Sequence, residues 1–173
     1  MVKTYEIIGL VDDRKIASVI NDYVFPGLLL MVAGSIRYSM GGVPFTMQSF
    51  VIMLVALLGD TRKFLFVLGG YCAFSVMTSP DILYTGGYLV GFIVATQFLS
   101  IVKVGALSAL WGAVMLVVAQ SIVWTCGIVW LCQIIGIKQA VMLGLVPFIL
   151  TDLCKLAVIF AIMLGRGRVR MVG

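Results

Sequence analysis

The chain contains no histidine and few charged residues. Of its 173 residues, 7 are acidic and 12 are basic, so charged side chains make up only 11% of the sequence. Soluble domains carry about a quarter charged residues, and this chain has too few polar side chains to cover a globule in water. The absence of histidine excludes metal sites and acid–base relays that use imidazole. The composition therefore argues against a soluble enzyme and against a nucleic-acid-binding protein.

Cysteine is also scarce, and it is placed where it has little chemistry to do. The four cysteines lie inside apolar stretches, with the spacing of neither a zinc finger nor a disulfide framework: Cys72, Cys126, Cys132 and Cys154. We expect them to be small, buried apolar residues. The chain has no Walker A sequence, so any ATP chemistry coupled to it must belong to a partner.

Apolar residues dominate the composition of the chain. They make up 62% of the chain, which gives a mean hydropathy of +1.19. A spanning helix needs roughly 20 apolar residues, and six shorter or longer segments, separated by charges, Gly or Pro, are candidates: residues 24–38, 46–58, 64–78, 87–102, 106–135 and 148–164. The fifth is long enough for two short helices, but no Pro or charged turn divides it. The short spans and the 19 glycines favour close helix packing. The sequence predicts an all-α membrane protein, a compact bundle of six transmembrane helices.

The basic residues are distributed unevenly between the two sides of such a bundle. Lys138 alone falls on one side, whereas nine fall on the side of the termini: Lys3, Arg14, Lys15, Arg62, Lys63, Lys103, Arg166, Arg168 and Arg170. Basic residues concentrate on the cytoplasmic side of membrane proteins, so both termini are expected there. We divide the chain into a cytoplasmic N-terminal segment (1–22), a six-helix transmembrane domain (23–165) and a basic cytoplasmic tail (166–173).

Three charged residues are predicted to lie inside the membrane at similar depth. Asp152 and Lys155 are three residues apart on the sixth segment, so they share one helix face. Arg37 is expected near the outer end of the first helix. Charges in a membrane span are costly and indicate a functional site by default, here a polar pocket for a small solute. The alternatives are an internal salt bridge for Asp152 and Lys155, and snorkelling to the headgroups for Arg37.

Two stretches rich in Gly or Pro flank this region on the outer side: residues 41–48 (GGVPFTMQ) and 85–92 (TGGYLVGF). The pair Gly86 and Gly87 lets a ligand approach the backbone closely, and Tyr88 can stack on an apolar ring. The alternative for each stretch is a turn followed by a close helix contact.

Three blocks of sequence, taken in order, resemble one family. Residues 43–50 (VPFTMQSF) resemble a VPxTxQ block, residues 85–92 a TGG-aromatic-x-x-GF block, and residues 147–155 (PFILTDLCK) a P-F-x-x-x-D-x-x-K block. These blocks are typical of the BioY family, the biotin-binding S components of energy-coupling-factor transporters, and the spacing agrees over residues 25–165.

The resemblance implies a function and a set of partners. Such a protein lies in the bacterial cytoplasmic membrane, binds biotin from the outer side and delivers it to the cytoplasm. A transmembrane coupling protein and a pair of ABC-type ATPases energise the release. No cofactor is implied, because biotin is the transported substrate.

The resemblance also implies a binding site. Asp152 is expected to accept a hydrogen bond from a ureido N–H of biotin, while Lys155 and Arg37 pair with the carboxylate or the ureido oxygen. Tyr88, with Phe45 or Trp130, is expected to cover the rings. The predicted substrate-binding residues are Asp152, Lys155, Arg37, Tyr88, Gly86, Gly87, Gln48 and Phe45. Relatives also use a polar residue near the end of the third helix, for which Ser75 and Thr78 are the candidates.

Three alternatives to biotin transport remain open at this point. The chain is an S component for another vitamin, a non-transport integral membrane protein, or a membrane enzyme that uses Asp152. An enzyme needs a second positioned carboxylate, a histidine or a nucleophile with its base, and the sequence offers none of these. We therefore expect no enzymatic activity.

Overall fold

The computed structural model describes residues 13–40 and 43–172. These residues form a helical protein with one short β-hairpin. A helix is present in each of the six apolar segments. In chain order the elements are α1 (Asp13–Val19), a π-helical turn (Ile20–Val24), α2 (Phe25–Ser35), β1 (Arg37–Met40), β2 (Val43–Thr46), α3 (Gln48–Leu58), α4 (Thr61–Thr78), α5 (Ile82–Val102), a 3₁₀ turn (Val104–Ala106), α6 (Ala109–Ile135), α7 (Ile137–Gly144) and α8 (Val146–Val172).

Four helical stretches in the described part of the chain are long and apolar enough to cross a membrane: Asp13–Ser35, Ile82–Val102, Ala109–Ile135 and Ile137–Gly165. Helix α3 is apolar but shorter, with 11 residues. Many large apolar side chains point away from the core, as expected of a surface that faces lipid: Phe66, Leu110, Trp111, Leu150 and others are more than half exposed. The prediction of an all-α membrane protein is confirmed at this level.

The first segment differs from the prediction at both ends. The helix begins at Asp13, within the segment predicted to be polar and extramembrane, and it ends at Ser35. The placement of Arg37 at the end of this helix was wrong, because Arg37 opens β1. Ile36 leaves the helix in an extended conformation, with φ −78° and ψ 92°. β1 then pairs antiparallel with β2, from Arg37 opposite Thr46 to Met40 opposite Val43.

The end of α6 holds a second difference. The fifth segment is a single helix, as its lack of Pro or charge suggested, and it ends at Ile135 as predicted, because Gly136 has a φ of +80° that other residues rarely adopt. The chain then forms the short helix α7, which was not predicted and which carries Lys138. α8 begins two residues after α7 ends, at Val146.

Helices α5 and α6 are in close contact through glycines. Gly87 and Gly91 lie four residues apart on α5, and a Cβ atom on them would approach within 2.6 Å of the Cys126 carbonyl oxygen and 2.9 Å of the Val123 Cα atom of α6, respectively. Small residues at this spacing allow helix backbones to approach closely. The glycines thus allow α5 and α6 to pack backbone against backbone.

The main core lies between α2, α3, α4, α5, α6 and α8, and its fully buried side chains include Leu30, Ile52, Phe64, Leu68, Leu99, Leu116 and Ile159. A second, smaller apolar cluster contains Leu131, Ala140 and Phe148, with Phe45 of the hairpin and Tyr88 of α5 packed against it. This cluster is therefore where the hairpin meets the helices.

Candidate functional site

A pocket lies between the β-hairpin and helices α3, α4, α5, α6 and α8. Leu89, Phe92, Val123 and Phe148 are among its apolar lining residues. The cavity has a volume of about 70 Å³, several times the ~10–15 Å³ that one water needs. Polar and charged residues make up most of the remaining lining, and a concave site that combines apolar walls with convergent polar groups is typical of sites for small molecules.

Asp152 lies at the centre of the polar groups and is 5% exposed. Its Oδ1 atom accepts hydrogen bonds from Nζ of Lys155 at 2.8 Å and from the hydroxyl of Ser49 at 3.2 Å. Its Oδ2 atom accepts from Nε2 of Gln120 at 2.8 Å and from the indole N–H of Trp124 at 3.0 Å. α3, α6 and α8 therefore all supply donors to a single carboxylate.

Lys155 is equally well paired, at 8% exposure. Its ammonium donates to Oδ1 of Asp152, to the hydroxyl of Ser49 at 2.9 Å and to the carbonyl oxygen of Thr46 at 2.9 Å. It also lies 4.3 Å from the ring centroid of Phe45, a distance at which the ring face attracts a cation. Lys155 therefore joins α8 to the hairpin through both Thr46 and Phe45.

The arrangement explains how two charges are accommodated among apolar helices. Taking an ion pair out of water costs more than its mutual attraction returns unless further hydrogen bonds satisfy both ions. Here the ammonium has three acceptors for its three protons, and the carboxylate has two donors on each oxygen. A fully satisfied network of this kind fixes the geometry of its members. The result is a rigid, electrically neutral polar group facing a partly apolar pocket.

Arg37 lies at the rim of the pocket, on β1. Its Nε donates to the carbonyl oxygen of Gly34 at 2.7 Å, and its guanidinium reaches Ser79 at 3.4 Å and the carboxylate of Asp81 at 3.6 Å. Arg37 and Asp81 have side-chain exposures of 37% and 41%. Arg37 therefore joins the hairpin to the turn between α4 and α5, while remaining open to an incoming anion.

Aromatic rings form one wall of the site. The rings of Phe45 and Phe148 stack with centroids 6.3 Å apart, and Tyr88 is tilted against Phe148 at 6.5 Å. The hydroxyl of Tyr88 donates to the carbonyl oxygen of Gly144 at 2.7 Å. The ring of Tyr88 occupies the space that a side chain at Gly127 would fill. Tyr88 is thus fixed between α6 and α7 and presents a stationary ring to the pocket.

A second polar chain runs along the pocket from the hairpin to α4. The Thr46 hydroxyl donates to Oε1 of Gln48 at 2.7 Å, and the amide of Gln48 donates to the hydroxyl of Tyr71. Ser75, the sequence-based candidate on α4, is buried and also lines the pocket. Gln48 is therefore oriented by neighbours on both sides.

The predicted residues divide into two groups by position. Arg37, Gln48, Tyr88, Asp152 and Lys155 all line the one pocket, and Phe45 contacts both Lys155 and Phe148 at its edge. The two glycines Gly86 and Gly87 lie instead against Trp130 of α6. This packing accounts for both glycines without a ligand, which was the alternative interpretation of the stretch.

Sequence reasoning missed Ser49, Gln120 and Trp124. Each lies in a predominantly apolar helix, and each is between 28 and 103 positions away from Asp152 in sequence. Gln120 carried one usable signal, because an amide in the middle of a spanning helix must find a partner.

The chain matches known proteins over most of its length. Residues 23–171 match the model of the BioY family. A probable biotin transporter BioY of Pyrococcus horikoshii is 32% identical over 142 residues, which cover 75% of this chain and 83% of that protein. The biotin transporter BioY of Thermotoga maritima is 29% identical over 142 residues, covering 75% and 84%. No solved structure matches the chain significantly. Since the family match includes all three blocks of sequence and the helices that carry the pocket, the chain belongs to the BioY family.

Proposed function

We propose that this protein takes up biotin, as a membrane-embedded subunit that captures the vitamin from the outer side and delivers it to the cytoplasm. The observation that carries the proposal is the buried Asp152–Lys155 pair at the wall of a pocket that also has an aromatic side. The names of the two BioY relatives support biotin as the ligand and transport, rather than catalysis, as the activity.

The chemistry of biotin suits this pocket. Its ureido group offers two N–H donors and a carbonyl acceptor, which complement a carboxylate and an ammonium in a dry site. Its thiolane ring is apolar, and the rings of Tyr88 and Phe148 provide an apolar surface for it. Its valerate chain ends in a carboxylate, for which the partly exposed Arg37 is the cation at the rim.

We assign the substrate-binding roles accordingly. Asp152 accepts a ureido N–H, Lys155 balances and orients Asp152 beside the ligand, and Arg37 pairs with the biotin carboxylate. Tyr88 and Phe45 cover the rings of biotin, and Gln48 supplies a polar contact along its valerate chain. Gly86 and Gly87 act indirectly, because they allow α5 to approach α6 and so place Tyr88.

The same proposal includes a topology and partners. Six crossings, with both termini in the cytoplasm of a bacterium, agree with the uneven distribution of basic residues. The three helices that supply Ser49, Gln120 and Asp152 then meet in the outer half of the bundle. We further propose that a transmembrane coupling protein and ABC-type ATPases drive release. In a background without native cysteines, a cysteine at Lys138 should react with an impermeant reagent from outside, and one at Arg62 should not.

Isothermal titration of the purified chain in detergent tests the function. Biotin is expected to bind tightly without ATP or partners, because the pocket is already formed by packed helices. Desthiobiotin, which keeps the ureido group and lacks the sulfur, should bind more weakly. Thiamine and riboflavin serve as controls. A folded, monodisperse sample that gives heat with another vitamin and none with biotin would transfer the assignment to that vitamin.

A further inference from the structure

The carboxylate of Asp152 has no vacant acceptor position in this structure. A carboxylate offers about four lone-pair sites, and four donors from the described residues fill them, two on each oxygen. The neighbouring ammonium is likewise occupied by three acceptors. A ligand that donates an N–H to Asp152 must therefore replace one of the donors already there.

Three of the four donors are poorly suited to leave. Lys155 carries the balancing charge, and its departure would leave Asp152 as an uncompensated buried anion. The Ser49 hydroxyl both donates to Asp152 and accepts from Lys155, so its departure breaks two hydrogen bonds. Gln120 is 2% exposed, and an amide buried to that extent has no solvent to receive its N–H groups.

Trp124 is the remaining donor, and none of these three obstacles applies to it. It is neutral, its indole has a single N–H, and that N–H makes one hydrogen bond, 3.0 Å from Oδ2 of Asp152. It is only partly buried and it lines the pocket. Turning the indole away breaks one bond and leaves every charge paired.

We propose that Trp124 is the exchangeable donor of the site: its indole N–H holds Oδ2 of Asp152 when the pocket is empty and yields that position to an N–H of a cyclic urea. The inference rests on the proposed function. Trp124 is then a positioning residue, which keeps the carboxylate aligned and satisfied until the ligand arrives. One N–H replaces another, so the number of hydrogen bonds to Asp152 is conserved.

This exchange also provides selectivity. An apolar carboxylic acid without an N–H group has two ways to bind. It can displace the Trp124 indole, which leaves Oδ2 of Asp152 without that hydrogen bond, or it can leave the indole in place and occupy a smaller pocket. A buried acceptor that loses its donor is strongly unfavourable. The site should therefore prefer ligands with a ring N–H over acids of similar size, such as lipoic acid.

Two variants that remove a donor from the same oxygen give a matched test. Trp124→Phe removes the donor that the ligand replaces, so biotin affinity is expected to rise about two- to tenfold, the effect of one net hydrogen bond on an equilibrium constant. Gln120→Met removes the other donor to Oδ2, but its buried position is filled by the apolar Met side chain and opens no acceptor position to the ligand, so affinity is not expected to rise. An unchanged or lower affinity of a folded Trp124→Phe protein would overturn the proposal.

A spectroscopic measurement on the unmutated chain provides an independent test. With 5-fluorotryptophan incorporated, the three tryptophans give three ¹⁹F resonances, and the Trp124 signal is identified by elimination with Trp111→Phe and Trp130→Phe. Saturating biotin should move the Trp124 resonance far more than the other two. A stationary Trp124 resonance in a sample that binds biotin would overturn the exchange while leaving the proposed function intact. Absence of biotin binding by the unmutated chain would instead contradict the proposed function.

Discussion

Two lysine–aspartate pairs in this protein have similar nitrogen–oxygen distances and very different surroundings. Lys155 and Asp152 are 2.8 Å apart between nitrogen and oxygen, and Lys63 and Asp22 are 2.6 Å apart. The first pair is buried and embedded in a network of further hydrogen bonds. The second joins α4 to the π-helical turn, with side chains that are 39% and 18% exposed.

The comparison shows that distance alone does not identify a functional ion pair. Exposed pairs are screened by solvent, and they usually contribute little. A buried pair has lost its hydration and is tolerated only when its remaining hydrogen-bonding groups are satisfied. At Asp152, three residues from two other helices supply those bonds. Such a concentration of partners around a pocket is what we take as the signature of the site.

Removing one member of the buried pair is expected to have the largest effect on stability and on biotin binding. Lys155→Met leaves the Asp152 carboxylate without its cation and deprives Thr46 and Ser49 of their donor. We expect the free energy of unfolding to fall by about 3–5 kcal/mol and biotin affinity to fall at least about 30-fold. Thermal unfolding and calorimetry on the same detergent sample measure both. Normal stability would show that the network is less important than its geometry indicates.

A smaller effect is expected at the rim of the pocket. Arg37→Gln removes a partly exposed cation from Asp81 and from the ligand carboxylate. Biotin affinity should fall about three- to tenfold, less at high salt, because rim charges are screened. Biotin methyl ester, which has no carboxylate, should bind the variant and the unmutated chain equally. A similar loss for the ester would mean that Arg37 acts by holding the hairpin in place.

The smallest effect is expected at the partly exposed pair of Lys63 and Asp22, which serves as the control for the first prediction. Lys63→Met removes the same chemical group as Lys155→Met, at the same kind of aspartate contact. We expect biotin affinity to be unchanged and the melting temperature to stay close to that of the unmutated chain, because both side chains remain accessible to water. A loss of binding comparable to that at Lys155 would remove the distinction between the two pairs.

The features that could be predicted from sequence are those marked by residues close together in the chain. Asp152 and Lys155 were found because they are three residues apart on one helix. Gln120 and Trp124 were not found, because their partner Asp152 lies on another helix and no residue near them in sequence indicates that contact. The position of Arg37 was wrong for a related reason, since a pairing of two four-residue strands leaves almost no periodic pattern in an apolar chain.

The glycines teach a complementary lesson. Gly86 and Gly87 were correctly singled out as a place of close approach, but sequence does not say what approaches. In the structure it is Trp130, whose indole N–H also donates to the Leu83 carbonyl oxygen at 2.8 Å. A backbone that admits a ligand and one that admits a neighbouring helix require the same residue, and only the packing of α5 on α6 distinguishes them.

The central claim is that the buried pair serves the ligand rather than the fold, and one double variant tests it directly. Asp152→Leu combined with Lys155→Met removes both charges, and replacing a buried ion pair by apolar residues is often neutral or stabilising. The account predicts a protein at least as stable as the Lys155→Met variant that no longer binds biotin, with thermal unfolding and calorimetry measured on one sample. Near-normal biotin affinity in the double variant would contradict the account and make the pair a structural salt bridge.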